Sequence, residues 1–371
     1  MKMDAAILWE VGAEWSVEET ELDPPREGEV LVSFEATGLC HSDHHMRSGD
    51  LPGAPLPMVG GHEGAGVVVE IGPGVRDLAV GDHVVASFLP ACGRCRWCAR
   101  GKQNLCDLGA MIMTGTQVDG SYRRRARNRD IGVASLLGTF AQFGSVSETS
   151  LVKIDADIPL ARACLVGCGI TTGWGSAVKT AQVAPGDTVV VMGCGGIGSG
   201  AIQGARLAGA AHIVVVDIVE AKRAKAMQFG ATHFVTSIEE ALATVGEITK
   251  GVMAASAIIT VGLAKGPMIN DALMLVSKGG AVVLTSLAAL DDVTPTLPMT
   301  LFTLFQKRLL GSLYGEANPR NDIPLLLELY RDGMLLLDEA VTAEYGLDDI
   351  NTAYDDMLAG RNIRGVIVHQ H

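Results

Sequence analysis

Basic residues are in deficit in this chain: 29 Lys and Arg stand against 42 Asp and Glu, a net charge of −13. That balance argues against nucleic acid or an anionic membrane as the main partner, because both recruit cationic surfaces. Long hydrophobic runs are missing too. Glycine, serine and charged residues interrupt the most apolar stretches before any reaches the ~20 residues a spanning helix needs. The opening MKMDAAILWEVGAEW has no apolar segment flanked by basic residues and no small-residue cleavage site. A cytoplasmic protein is therefore expected. Internal repeats and low-complexity segments are absent as well.

What is present suits two domains. A length of 371 residues exceeds one ordinary domain, and 48% hydrophobic residues supply sizeable cores. The first part, to about residue 160, is rich in strands and turns, with VLVSFEATG, GAGVVVEIG and GDHVVASF divided by glycine and proline. Such a pattern predicts a mostly antiparallel, partly barrel-like domain. From about 170 to 310, strands alternate with helical stretches; they are expected at 189–192, 213–217, 234–236, 258–261 and 282–285. That alternation predicts an α/β domain with a doubly wound parallel sheet.

Six of the eight cysteines fall into two metal-ligand patterns. Cys92, Cys95, Cys98 and Cys106 are spaced C-x2-C-x2-C-x7-C within the lobe 92–106. Four thiolates from one short loop can close a tetrahedron around Zn²⁺, the mark of a structural site. A disulfide framework is the alternative, but a cytosolic chain with this spacing favours metal. The second pattern is dispersed: Cys40 in GLCHSDHH, His62 in GGHEGAG and Cys168 in VGCGITTGWG. Two cysteines and a histidine leave a fourth position open for water or substrate. Taken singly, each of the three reads more simply as a buried structural residue. One closed and one open site together point to an enzyme carrying two zinc ions.

A third motif strengthens that reading. The run VVVMGCGGIGSGAIQGARLAGAAHIVVVD contains Gly193-x-Gly195-x-x-Gly198 between a strand and a helix, and it ends in Asp217. A bare glycine triplet would be weak in a chain with 45 glycines. In this context it matches the dinucleotide fingerprint. Gly193, Gly195, Gly196, Ile197 and Gly198 would admit a pyrophosphate to the helix N-terminus. Asp217 would accept hydrogen bonds from ribose hydroxyls and repel a 2′-phosphate, favouring NAD over NADP. No arginine stands at Ile218 or Val219 to bind such a phosphate.

These residues resemble the zinc-dependent medium-chain alcohol dehydrogenases, over essentially the whole chain. GLCHSDHH, GGHEGAGVVVEIGPGV, GDHV, the four-cysteine lobe, VGCGITTGWG, GCGGIG and NIRGVIV carry the likeness. CGRCRWCARGKQNLCDLGA, GSLYGEANPRNDIP and IRGVIVH are similar to the actinobacterial N,N-dimethyl-4-nitrosoaniline-dependent subgroup, whose members are nicotinoproteins. The resemblance implies a GroES-like catalytic domain over 1–169, a Rossmann domain over 170–312 and a return of 313–371, with its strand-like 365–369, to the first domain. It further implies a homo-oligomer, dimer or tetramer, acting on a small alcohol. Ser42 would contact the substrate oxygen, and the proton would pass through the nicotinamide ribose to His45, a surface shuttle. Asp43 would partner His62, and Glu63 would sit behind the zinc. Thr172 would line the nicotinamide, Lys222 contact the ribose, and Arg364 the pyrophosphate. His41 stands where many relatives place an arginine against that pyrophosphate, so a weaker, titratable cation is expected there.

Several features fall outside these motifs. The run Arg123-Arg124-Arg125-Ala126-Arg127 reads as a solvated loop face or subunit contact, with anionic-substrate binding as the sharper alternative. Cys164 and Cys194 read as small hydrophobes. Three rival readings remain: oxidation of a thiol–formaldehyde adduct, a zinc-free quinone reductase on the same fold, and a zinc-ribbon interaction protein.

Overall fold

The computed structural model describes residues 1–53, 55–295 and 297–371. Contacts divide the chain into two units: Met1–Cys168 with Asn318–His371, and Gly169–Ala317. Among the described residues no helix is long and apolar enough to cross a membrane.

The first unit is built on strands. Lys2–Leu8, Ser16–Leu22, Arg124–Ala126, Arg129–Val133 and Met58–Val59 close, in that order, into a small barrel. Ile7, Leu8, Met58, Val59 and Ile131 from its strands belong to one buried apolar cluster, alternate residues serving opposite faces of the barrel wall. Trp15 packs edge-on to Phe140 at 5.4 Å and stacks on Tyr354 at 5.9 Å. A second, seven-stranded sheet runs Leu151–Ile154, His83–Ala86, Gly64–Ile71, Glu29–Gly38, Arg364–Val368 and Val341–Tyr345, with Phe143–Ser147 also paired to Glu29–Gly38. The C-terminal strand is thus integral to this unit: Val366 pairs with Gly38, Ile367 with Thr37 and Val368 with Ala36.

The arginine run is not a solvated loop. Arg124–Ala126 is a strand, and its period of two buries Arg124 and Ala126 while exposing Arg125. Arg124 is fully buried and donates to Thr20 Oγ1 and the Phe143 carbonyl, each at 2.6 Å. Burial, with no carboxylate to offset it, draws its pKa down to about 10. Arg123 is clamped by Glu29 and Asp119 at 2.7 and 2.8 Å. Arg125 pairs with Asp23, and Arg127 pairs with Glu18 while lying over the Trp9 ring. These guanidinium groups are engaged within the unit.

The second unit carries six parallel strands in the order His233–Val235, His212–Val216, Thr188–Met192, Ala254–Ile259, Val276–Leu284 and Arg308–Gly311. Counted from Thr188–Met192, that order is 3-2-1-4-5-6, the Rossmann arrangement. Thr188–Met192 is buried along its whole length, as a central parallel strand flanked by two others must be. The edge strand Arg308–Gly311 was not among those expected: it is short and none of its residues is fully buried, so it lacks the apolar run that marks its neighbours.

Helices Gly169–Gly175 and Gly196–Leu207 approach closely at glycine. A Cβ on Gly173 would overlap the Ile197 carbonyl oxygen and lie 2.6 Å from the Ala201 amide nitrogen. Backbone cannot yield as a flexible side chain can. Gly173→Ala should therefore lower stability by about 1–3 kcal/mol through overpacking, seen as a reduced urea midpoint. An unchanged midpoint would show that these helices are not rigidly apposed.

Candidate metal centres and coenzyme turn

The dispersed trio converges in the first unit. Cys40 precedes the helix His41–Ser48, His62 lies between strands Met58–Val59 and Gly64–Ile71, and Cys168 follows the turn Cys164–Gly167. All three are buried, and their ligand atoms lie within 4.8 Å of one another. Asp43 Oδ2 stands 3.0 Å from His62 Nδ1, while Asp43 Oδ1 accepts the Gly61 N–H at 2.8 Å. A carboxylate at Nδ1 holds that nitrogen protonated and leaves Nε2 as the lone-pair donor. Burial opposes a charge on His62, but Asp43 and Cys40 more than offset it and raise its pKa well above the ordinary value. The Cys40 thiol is driven well below its usual range by the Cys168 hydrogen bond, against burial, with help from His62 and Arg364. Thiolate beside imidazole, both out of water, is a donor set suited to a divalent cation.

The compact quartet converges as well. The sulfurs of Cys92, Cys95, Cys98 and Cys106 lie within 4.8 Å of one another, and all eight cysteines are free of disulfides. Backbone amides of Cys92, Cys95 and Cys98 point at the sulfurs of Cys106, Cys92 and Cys95, at 3.4, 3.4 and 3.5 Å. The Cys98 amide leads the contacts that draw Cys95 down to about 6, whereas burial pushes the Cys98 thiol up to about 12. Four sulfurs this close cannot all ionise without a cation between them. The lobe is tied down by Asn318, whose Oδ1 accepts the Gln103 N–H at 3.0 Å. Sequence reading missed Asn318; an Asn before Pro suggests only a helix cap.

Around the trio, the other expected residues take definite places. Ser42 Oγ lies 3.6 Å from Cys40 Sγ. Glu63 is fully buried and forms an ion pair with Arg364, so these two expected residues meet. His41 is forced down to about 4 by burial, against the pull of Cys40 and with the help of His45, His44 and Arg364. It is therefore neutral, not the titratable cation expected at this position. His45 is not at the surface either. The helix His41–Ser48 turns it inward beside Met46, with 3% exposure, and its Nδ1 lies 3.0 Å from Asp50 Oδ2.

In the second unit, the glycine turn is shaped for a ligand. Gly193 takes φ +106°, and a Cβ on Gly198 would overlap the Gly193 carbonyl, so tight turning and packing require both. At Gly195 a Cβ would meet nothing within 4 Å. The protein's own packing does not need glycine there; a phosphate approaching the backbone would. Gly196 and Ile197 open the helix Gly196–Leu207 directly behind it. Asp217 Oδ2 accepts the Cys194 N–H at 2.7 Å and faces Lys222 Nζ at 3.4 Å. Cys194 thus serves through its backbone, and burial raises its thiol to about 12. Thr172 Oγ1 is buried and has no hydrogen-bond partner among the described residues, a vacancy that a polar ligand group would fill.

Comparison with known proteins agrees with this geometry. Residues 26–156 match the alcohol dehydrogenase GroES-like domain, and residues 196–332 the zinc-binding dehydrogenase domain. Alcohol dehydrogenase B of Mycobacterium tuberculosis is 50% identical over 368 residues, covering 99% of this chain and 98% of that one. The NDMA-dependent alcohol dehydrogenase of Amycolatopsis methanolica is 50% identical over 369 residues, 100% and 99% of the two chains. The chain belongs to the zinc-dependent medium-chain alcohol dehydrogenases. An S-(hydroxymethyl)glutathione dehydrogenase of Komagataella pastoris is 39% identical over 99% of this dehydrogenase and 97% of its own length. Among solved structures, benzyl alcohol dehydrogenase from Acinetobacter calcoaceticus superposes with a TM-score of 0.91 at 30% identity over the full length of both chains. Family membership sets aside the zinc-ribbon and quinone reductase readings.

For this dehydrogenase, Asp43 should matter through His62. Asp43→Asn should weaken zinc at the trio by about 10- to 100-fold, the usual cost of losing such a partner. Chelator competition would read this, with the four-cysteine lobe as an internal reference. Equal retention of zinc by the variant and the parent would contradict the assigned role.

Proposed function

We propose that the enzyme oxidises a small alcohol to an aldehyde or ketone with NAD as coenzyme, holds two zinc ions per chain, and keeps its coenzyme bound as a nicotinoprotein. The convergence of Cys40, His62 and Cys168 on one buried point, with Asp43 behind the imidazole, carries the reading. Those three would hold the catalytic zinc and Cys92, Cys95, Cys98 and Cys106 the structural one. Zinc, when bound, supplies a Lewis acid that lowers the pKa of the alcohol, and nicotinamide supplies the hydride acceptor. The remaining work falls to the chain. Ser42, beside Cys40, would accept the substrate's hydroxyl proton, which His45 would carry onward. Glu63 and Arg364 form the buried ion pair behind the trio, from which Arg364 would also bind pyrophosphate. Asp217 and Lys222 would hold the adenosine ribose, the turn Gly193 to Gly198 the pyrophosphate, and Thr172 and His41 would line the coenzyme.

Retention of coenzyme is supported by the 50% identity to a dehydrogenase named as NDMA-dependent, the subgroup that the sequence motifs resemble. The thiol–formaldehyde alternative leans on the more distant likeness. A homo-oligomer is supported by apolar side chains left in solvent near the exposed edge strand: Leu290, Val293, Met299 and Leu304 are all exposed, Val293 and Met299 at 77%. A dimer or tetramer in the cytoplasm is the corresponding proposal.

Coenzyme choice gives the test. Denatured protein should release NAD in near-equal amount to chains. Asp217→Gly should lower NAD affinity by roughly ten- to a hundredfold, the loss of charge-assisted hydrogen bonds worth about 1.5–3 kcal/mol, and should narrow the preference over NADP. Unchanged discrimination in that variant would show that Asp217 is not the ribose anchor.

A further inference from the structure

No arginine follows Asp217 directly in the chain, yet one stands close to it in the fold. Strands His212–Val216 and His233–Val235 are parallel, and Val216 pairs with Val235, so their carboxyl ends lie side by side. The Asp217 amide donates to the Val235 carbonyl at 3.1 Å. Consecutive carbonyls of a strand point to opposite sides, so the Phe234 carbonyl faces away from His212–Val216. His233–Val235 is the last strand on that side of the sheet, and the Phe234 carbonyl takes a side chain instead: Arg223 Nη1 donates to it at 2.7 Å.

That guanidinium is fully engaged. It lies 4.8 Å over the Phe234 ring, and its Nε and Nη2 donate to the two carboxylate oxygens of Glu220 at 2.5 and 2.9 Å. A second carboxylate, Glu240, stands beyond the end of the same strand, where it accepts from the Thr236 amide at 2.9 Å. The Glu220 hydrogen bond, with the charges of Glu220 and Glu240, holds the guanidinium above its ordinary range against burial. The two consecutive cations are thus sorted. Lys222 turns Nζ to Asp217, at 3.4 Å, whereas Arg223, which opens the helix Arg223–Phe229, is tied to the sheet edge.

We propose that Glu220 and Arg223 form a second determinant of coenzyme choice behind Asp217: Glu220 withholds from the ribose site a guanidinium that could otherwise bind a nucleotide 2′-phosphate. This rests on Asp217 being the ribose anchor. An arginine fork matches a phosphate in bidentate fashion, and charge-assisted bonds of that kind exceed one to a neutral carbonyl. Glu220 opposes the exchange twice, by occupying two of the guanidinium nitrogens and by adding a like charge near the phosphate. Neighbouring strands lie about 4.8 Å apart, a gap that an arginine side chain spans by rotation about its own bonds. The Glu220 pair is exposed, 46% and 61%, so its loss leaves folding nearly unchanged. Removing Asp217 alone lifts repulsion at the ribose but leaves the cation tied, so the preference narrows without reversing.

The test dialyses full-length protein to equilibrium against equal NAD and NADP, then measures both nucleotides released on denaturation. The parent should carry NAD, and Asp217→Gly should raise the bound NADP:NAD ratio while keeping it below one. Glu220→Gln added to Asp217→Gly should raise that ratio about tenfold more, the low end for a charge-assisted hydrogen bond. Arg223→Gln added to this pair should return the ratio to the Asp217→Gly value. With Asp217 in place, Glu220→Gln and Arg223→Gln should each still carry NAD. No gain from Glu220→Gln in the Asp217→Gly protein, or a gain that survives Arg223→Gln, would overturn the inference. An Asp217→Gly ratio equal to the parent's would instead sink the reading of Asp217 on which it rests.

Discussion

Two carboxylates, Asp43 and Glu63, are buried without any solvent exposure in the first unit, and much of that unit's local structure answers to them. An uncompensated buried charge costs several kcal/mol. Each carboxylate is met by a different device. Asp43 takes the Gly61 amide on one oxygen and His62 on the other, so His62 and the residue before it are fixed by one side chain. Glu63 takes the Arg364 guanidinium, which comes from more than three hundred residues later in the chain.

That long-range pair explains why the chain returns. Arg364 heads the strand Arg364–Val368, and its ladder to Glu29–Gly38 delivers the guanidinium to Glu63. A first unit ending at Cys168 would lose the Arg364 guanidinium that faces the buried Glu63 carboxylate. The neighbouring network extends the same logic: Thr37 and Thr139 share a hydroxyl contact of 2.6 Å, and His369 Nε2 stands 3.0 Å from the Thr139 carbonyl. Burial depresses His369 to about 4, so it serves as a neutral partner. Cys40, His62 and Cys168 thus share the first unit with buried polar contacts made by Asp43, Glu63, Arg364, Thr37, Thr139 and His369.

Much of this was legible in the chain itself, for identifiable reasons. Ligand spacing is a local property, so the four-cysteine lobe could be read from residues 92–106 alone, and the glycine turn could be read because a strand, a helix and an acid flank it. The central strands announced themselves as apolar runs. Burial was harder to read. Arg123 and Arg124 looked solvated because, although Asp119 is local to Arg123, the groups that bury them, Glu29, Thr20 and the Phe143 carbonyl, are distant in sequence. His45 looked exposed because nothing local shows which face of its short helix turns inward. Asp50 carries no pattern at all; only the left-handed Gly49 brings it back onto His45. Asn318, anchoring the lobe across 215 residues of chain, was invisible for the same reason.

The central claim is that one chain holds two differently built zinc sites, and X-ray absorption at the zinc edge addresses it directly. A four-sulfur site and a site of two sulfurs and one imidazole average to three sulfurs per zinc, (4 + 2)/2, from the two ligand groups. The spectrum should fit about three Zn–S distances near ~2.3 Å, together with imidazole scattering near ~2.0–2.1 Å. A spectrum of zinc-replete protein that fits four sulfurs and no imidazole would mean that only the lobe holds metal, and would contradict the account.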